Sequence, residues 1–196
     1  MRRHPARRGA RGTSMMGPAG GGARAAAAPL PVLRIVGAAG VGKTLLIAAL
    51  TEAMRERGYF VANCAPRGDA ATVLTLSTGA RVTIERPPDL AALSTLVRSL
   101  DPRAVLLLAE GVEATGFPAV EVVRAALDKP RTPPADLLAT VTADEVARGF
   151  GTTGPSPIVT LVATIEARLL GGESAIAAPS ESALARLGRW FGRSGG

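Results

Sequence analysis

Gly37-Ala38-Ala39-Gly40-Val41-Gly42-Lys43-Thr44 is the stretch on which the fold turns. It reads G-x-x-x-x-G-K-T, follows the apolar run Val32-Leu33-Arg34-Ile35-Val36 and precedes a helix-like run from Leu45 to Arg57. Strand, glycine loop and helix in that order separate a phosphate-binding loop from the alternative, a glycine-rich turn that binds nothing. Glycines let the backbone curl so that successive N–H groups point inward at phosphate oxygens, and the N-terminus of the following helix adds partial positive charge. The pattern assigns Gly37, Gly40, Val41, Gly42, Lys43, Thr44 and Leu45 to a nucleoside triphosphate. Lysine usage points the same way: against 21 arginines the chain has two lysines, Lys43 and Lys129. Lys43 stands where a compact ammonium on a flexible stem bridges the β- and γ-phosphates better than a planar guanidinium does. Thr44 would place its hydroxyl on the accompanying Mg²⁺.

Outward from the loop, the chain alternates strands and helices. Leu46, Ile47, Leu50 and Met54 mark one buried helix face, and Gly58 is a natural stop for that helix. Tyr59 to Cys64 reads as a second strand and Arg67 to Thr72 as a loop. Val73 to Ser77 and Arg81 to Glu85 read as two short strands around Gly79. Asp89 caps a helix carrying Leu90, Leu93, Leu96, Val97 and Leu100. The run Ala104 to Ala109 is continuously apolar, as a central parallel strand covered on both faces would be. Val120 to Val123 and Leu137 to Val141 are further strands, Thr142 or Ala143 opens a short helix, and Ile158 to Leu170 forms a last helix after a flexible link at 149–157. The order predicts an α/β fold of the P-loop NTPase type, a mainly parallel sheet flanked by helices.

Composition sets the bounds. The 196 residues fit one domain with extensions, and with 3% aromatic residues the core must be built from Val, Leu, Ile and Ala. The net charge of +7 is concentrated at the start: residues 1–30 hold six arginines and no acid. Residues 31–196 carry fifteen Arg and two Lys against sixteen acids, a surplus of one positive charge, so the body has no nucleic-acid signature. The Arg/Gly/Ala-rich start reads as a disordered tail, either a weak anchor for acidic partners or a stretch preceding a later initiator at Met15 or Met16. The expected division is this tail at 1–30, a nucleotide-binding domain at 31–172 and a C-terminal extension at 173–196. In the extension, Ser180 to Phe191 forms a short basic helix that covers its own domain or docks on a partner. A single cysteine, Cys64, suits a reducing compartment, and without a secretory pattern the expected location is the cytoplasm. No apolar stretch reaches the roughly 18 residues of a membrane span. His4 is the one histidine, so the body has no imidazole for Ser/His/Asp, Cys/His or zinc chemistry.

The candidate chemistry gathers around the loop. Glu110 ends the apolar strand, where α/β sheets collect ligand-binding residues; it either holds Mg²⁺ and orients a water or caps a loop. Asp69, after the second strand, is the other acid for the γ-phosphate region, set against a plain Gly-Asp turn. Lys43, Glu110 and Asp69 are thus the catalytic candidates, and Thr44, Glu110 and Asp69 the metal candidates. Asp144 stands where a guanine-reading acid occurs, or caps the helix that follows.

These residues resemble a known family. Ile35 to Thr44, Arg57-Gly58-Tyr59-Phe60-Val61-Ala62, Thr78-Gly79-Ala80-Arg81, Leu106 to Gly111, Phe117 to Arg124 and residues 137–144 together resemble molybdopterin-guanine dinucleotide biosynthesis protein B, the MobB family, across roughly 32–170. The resemblance implies a homodimer that binds GTP and Mg²⁺, hydrolyses GTP slowly and assists a MobA-like guanylyltransferase in attaching GMP to molybdopterin. The chain departs from the family at Cys64-Ala65-Pro66-Arg67-Gly68-Asp69, where a lysine and histidines are expected, with Arg67 standing in for part of that charge. Two other readings stand beside this one: a degenerate nucleotide-binding module or switch without turnover, favoured by the altered segment, and a small-molecule P-loop kinase.

Overall fold

A computed structural model describes residues 28–68, 70–125, 131–133, 135–148 and 156–171. Asp69, Lys129, most of the arginine-rich start, the bulk of the 149–157 link and the expected helix at 180–191 lie outside the described residues.

The elements in chain order are β1 (Val32–Gly37), α1 (Lys43–Glu56), β2 (Val61–Arg67), β3 (Ala71–Thr75), β4 (Arg81–Glu85), α2 (Leu90–Leu100), β5 (Leu106–Glu110), β6 (Ala119–Val123), β7 (Leu137–Thr142), α3 (Ala143–Arg148) and α4 (Pro157–Leu169). They build a seven-stranded sheet in the order β4-β3-β2-β5-β1-β6-β7. β2, β5, β1, β6 and β7 run parallel, while β3 and β4 add an antiparallel edge. The sheet is thus mainly parallel and flanked by helices, as the alternation of apolar runs predicts. Among the described residues no helix is long and apolar enough to cross a membrane.

Strand parity divides the core between the two faces. Leu33, Ile35, Leu106, Leu108, Val120 and Val122 turn to the face covered by α1, α3 and α4, where Leu46, Leu50, Met54, Ile158 and Ile165 are fully enclosed. Val32, Ala62, Cys64, Leu107 and Ala109 turn to the other face, against Leu90, Leu93 and Val97 of α2. Each fully buried large side chain contributes about 1.5–3 kcal/mol, and α1 alone supplies Leu46, Leu50 and Met54 at no exposure. That burial fixes the helix whose first turn follows the glycine loop.

The second strand differs from expectation. β2 continues to Arg67 and β3 begins at Ala71, so the expected 67–72 loop is reduced to a hairpin tip. Arg67 pairs with Ala71 and Pro66 with Thr72, and the last partner of β2 on β5 is Ala109, opposite Cys64. Beyond Cys64 the strand therefore has one neighbour, the edge-like setting in which a proline without an N–H is tolerated. At the opposite end of the hairpin, the buried Asp101 accepts hydrogen bonds from the Ser77 N–H (2.7 Å) and hydroxyl (2.6 Å). Asp89 caps α2 as expected, accepting from the Ala92 N–H at 2.8 Å.

Candidate functional site

The loop between β1 and α1 is shaped by its glycines. Gly37 has φ +136° and pairs with Val122 of β6, so close that an added Cβ would lie 2.3 Å from the Val122 carbonyl oxygen. Gly42, at φ +102°, is the residue from which α1 springs. Val41 is buried at 4% exposure and plugs the loop into the α1-side core, and Leu45 packs against the same core. Gly40 is exposed at the loop's crest.

The first turn of α1 receives no side-chain hydrogen bond and holds no acid. Asp89 of α2, Ser156 of α4 and the Thr142–Glu145 pair of α3 do satisfy their helices' first turns. An uncapped helix start behind a glycine loop leaves N–H groups and partial positive charge facing outward, the electrostatic pattern that suits phosphate. Lys43 folds back over the loop, its ammonium donating to the Gly37 carbonyl at 3.1 Å and the Ala38 carbonyl at 2.8 Å.

Glu110 arrives from the central strand. Leu106 and Leu108 point to the α1 face, and alternation places Glu110 on that face one step beyond the core. There its Oε1 accepts a 2.7 Å hydrogen bond from the Thr44 hydroxyl. Gly111 follows at φ +61°, with its Cβ position 3.9 Å from Pro66 Cγ and 4.0 Å from Lys43 Cε. The ends of β1, β5 and β2 thus converge on Lys43. Thr44 and Glu110 are hard oxygen donors of the kind that Mg²⁺ combines with phosphate oxygens and water, so the donor set fits that ion. When bound, Mg²⁺ would neutralise phosphate charge at this point.

A phosphate loop, its lysine, and a hydroxyl–carboxylate pair on neighbouring strand and helix come together at one end of the sheet, and the AAA domain family matches the chain over residues 17–129. The chain belongs to the AAA domain family. Its glycine loop is the P-loop of a nucleotide-binding domain. No curated protein matches this AAA-domain chain. Among solved structures, it is similar to Bacillus subtilis MobB at 21% identity and a TM-score of 0.43, covering 69% of this chain and 97% of that one. It is also similar to a MobB protein homolog from Bacillus stearothermophilus at 23% identity and a TM-score of 0.38, covering 58% and 88% respectively.

The other sequence candidates are spread around this centre. Asp69 lies outside the described residues. Asp144 is exposed in the first turn of α3. It does not cap that helix: Thr142 Oγ1 accepts from the Glu145 N–H at 3.1 Å, and Glu145 Oε2 accepts from the Thr142 N–H at 2.7 Å, a reciprocal capping box. Thr142 ends β7 and Asp144 follows it, two strands from β1 in the sheet order. Cys64, part of the altered segment, is fully buried on β2, and burial pushes its thiol up to about 12.

One cluster escapes a reading by composition. A cleft of 740 Å³ opens at the ends of β1 and β6, lined by Gly37, Ala38 and Val41 of the P-loop together with Glu121, Arg131 and Thr132. Glu121 is 4% exposed, and its carboxylate accepts from the Arg131 N–H (2.8 and 2.9 Å) and the Thr132 N–H (2.7 Å). Burial pushes this carboxyl up, yet the hydrogen bonds from Arg131 and Thr132 and the nearby Arg131 charge outweigh it and hold the group below the usual carboxylate range. The available signal was a single acid inside the otherwise apolar run Ala119-Val120-Glu121-Val122-Val123, since a charge in a buried strand must be satisfied from somewhere. The same face holds Arg34 of β1, 5% exposed, which donates to the Phe117 carbonyl at 3.1 and 2.9 Å and reaches Asp136 at 3.5 Å.

Proposed function

We propose that the chain is a MobB-like GTP-binding protein that takes GTP with Mg²⁺ at the P-loop and hydrolyses it weakly. The observation that carries the reading is the Thr44–Glu110 hydrogen bond at 2.7 Å, because it joins the first turn of α1 to the end of β5 at the point where the metal and the terminal phosphates belong. Lys43 would exchange its two carbonyl partners for phosphate oxygens. Thr44 and Glu110 would hold Mg²⁺, with Glu110 and Asp69 tuning the γ-phosphate region. Gly37, Gly40, Val41, Gly42, Lys43, Thr44 and Leu45 would line the phosphates, and Asp144 would read the base. Catalysis is then positional and electrostatic, with no covalent intermediate. By the resemblance of its motifs, the partners are a MobA-like guanylyltransferase, molybdopterin and a second copy of the chain, in the cytoplasm.

A second reading, a nucleotide-dependent binding module without turnover, is favoured by the tip of β2. There Cys64 is sealed in the sheet, and Arg67 is the one basic side chain from Cys64 to Ala70. Equilibrium binding of GTP and ATP with Mg²⁺, run beside Lys43→Ala and with phosphate release followed in the same samples, tests both. Loss of charge-assisted contacts in Lys43→Ala should weaken triphosphate binding at least roughly 10-fold. GTP preference with slow phosphate release supports the first reading, and GTP binding without release supports the second. ATP preference or Lys43-independent binding overturns the GTP assignment.

A further inference from the structure

The cleft beside the P-loop holds a buried carboxylate, Glu121, at one of its edges. Glu121 follows the parity of Ala119 and Val123, opposite to Val120 and Val122, so its carboxylate leaves β6 on the face away from α1. A carboxylate at 4% exposure is costly unless its oxygens are met by donors, and the donors here include two consecutive backbone N–H groups, those of Arg131 and Thr132. The acid therefore fixes the path of a segment ten residues further along the chain rather than lying on the surface as a solvated charge. That segment lines the 740 Å³ cleft, and Gly37 and Ala38 line it too. Those are the two residues whose carbonyls hold the Lys43 ammonium. The Arg131 side chain, itself exposed, thus shares one cleft with the part of the P-loop where the lysine charge sits.

We propose that Arg131 is a second cation for the terminal phosphate of the bound nucleotide, and that Glu121 is the positioning residue that holds its backbone beside the P-loop. The proposal rests on the nucleotide-binding reading above and extends it to a named arginine. A guanidinium supplied from the same chain stabilises charge on a terminal phosphoryl group through planar, paired N–H donors, which a lysine at the loop cannot reproduce. Clamping the backbone at 131 and 132 limits the freedom that this long side chain would otherwise lose on binding.

Calorimetric titration with the pairs GTP/GDP and ATP/ADP, each with Mg²⁺, tests this on the full chain, with Arg131→Ala, Glu121→Gln and Lys43→Ala measured in parallel. The readout is the ratio of diphosphate to triphosphate Kd, which a purely structural defect leaves in place because both nucleotides use the same loop. Arg131→Ala should lower that ratio roughly 10-fold, the loss of one charge-assisted contact to the terminal phosphate. Glu121→Gln, which keeps the side-chain shape but presents an amide to two N–H donors, should lower it in the same direction and by less. A wild-type ratio in Arg131→Ala overturns the arginine assignment, and that exposed variant keeps the proposal falsifiable if Glu121→Gln does not fold. A lowered ratio in Arg131→Ala with a wild-type ratio in folded Glu121→Gln overturns the positioning role. Absence of Lys43-dependent binding for every nucleotide overturns the nucleotide reading and this proposal together, whereas intact binding with an unchanged ratio overturns this proposal alone.

Discussion

Gly37→Ala should be markedly more damaging than the same change three residues further on, at Gly40. The Gly37 Cβ would sit 2.3 Å from the Val122 carbonyl oxygen and 3.1 Å from Val41 Cγ1, at a φ of +136° that side-chain-bearing residues rarely adopt. The obstructing oxygen belongs to backbone that pairs β6 with β1 in register at this very residue, so it cannot swing aside as a side-chain tip would. Backbone strain of this kind costs about 1–3 kcal/mol, and forcing atoms into filled space costs roughly 1–3 kcal/mol more. Taken near the middle of the combined range, the loss is about 4 kcal/mol, which for a chain of this size lowers Tm by roughly 8–16 °C. Gly40 has φ +69° with nothing within 4 Å of its Cβ position, so Gly40→Ala meets the left-handed backbone cost alone. That cost is about 1 kcal/mol, a Tm shift of roughly 2–4 °C. Thermal unfolding of both variants by circular dichroism, with urea midpoints as a second measure, makes the comparison. Equal midpoints for the two variants would refute the steric argument and with it the close approach of the P-loop to β6.

Three further outcomes follow from the geometry. Thr44→Val removes the hydroxyl that meets Glu110 but keeps the side-chain shape; it should weaken Mg²⁺-dependent triphosphate binding at least about 10-fold while binding in EDTA stays unchanged, as titrations with and without the metal would read. The Thr142 N–H and hydroxyl hold the Glu145 carboxyl below the usual carboxylate range. Its contribution to stability is therefore fully present above the unfolded value of about 4.3 and lost as pH falls through the lowered native pKa, a slope that Glu145→Ala should reduce in urea midpoints measured across that window. Cys64, with its thiol pushed up to about 12 by burial, should stay unmodified by a thiol reagent at neutral pH in the folded protein and react fully in urea. Because the native thiol keeps its proton longer than the unfolded one, the stability tied to it is present below about 8.5 and declines as pH rises toward the native pKa.

The elements that form the nucleotide-binding core were legible because each carried two concurring signals. β5 is an apolar run ending in Glu110, β1 is an apolar run interrupted by Arg34, α1 has a single buried face, and the glycine loop directly links β1 to α1. Lys43, Thr44 and Glu110 could be brought together on paper because strand ends in a parallel sheet share one edge. The β2–β3 junction was not legible in the same way. Pro66, Gly68 and Asp69 are all turn formers, and what keeps Pro66 and Arg67 in a strand is pairing with Thr72 and Ala71, a partner choice that local composition does not encode. Asp144 failed as a cap for a related reason: Thr142 and Asp144 both carry capping chemistry, and Glu145, three residues after Thr142, makes Thr142 the reciprocal partner.

Glu110 and Glu121 have different fates for one physical reason, strand parity. Both acids end or interrupt an apolar parallel strand next to β1, and composition treats them alike. Parity separates them. Leu106 and Leu108 face α1, so Glu110 faces α1 as well and meets Thr44 in its first turn. Val120 and Val122 face α1, so Glu121 faces away and must find donors on the side where α1 is absent. Buried there, it is met by the N–H groups of Arg131 and Thr132, two residues that line one cleft with the P-loop. One periodicity thus sends Glu110 to the first turn of α1 and Glu121 to the opposite face of the sheet, where it clamps the backbone of Arg131 in a cleft shared with the P-loop.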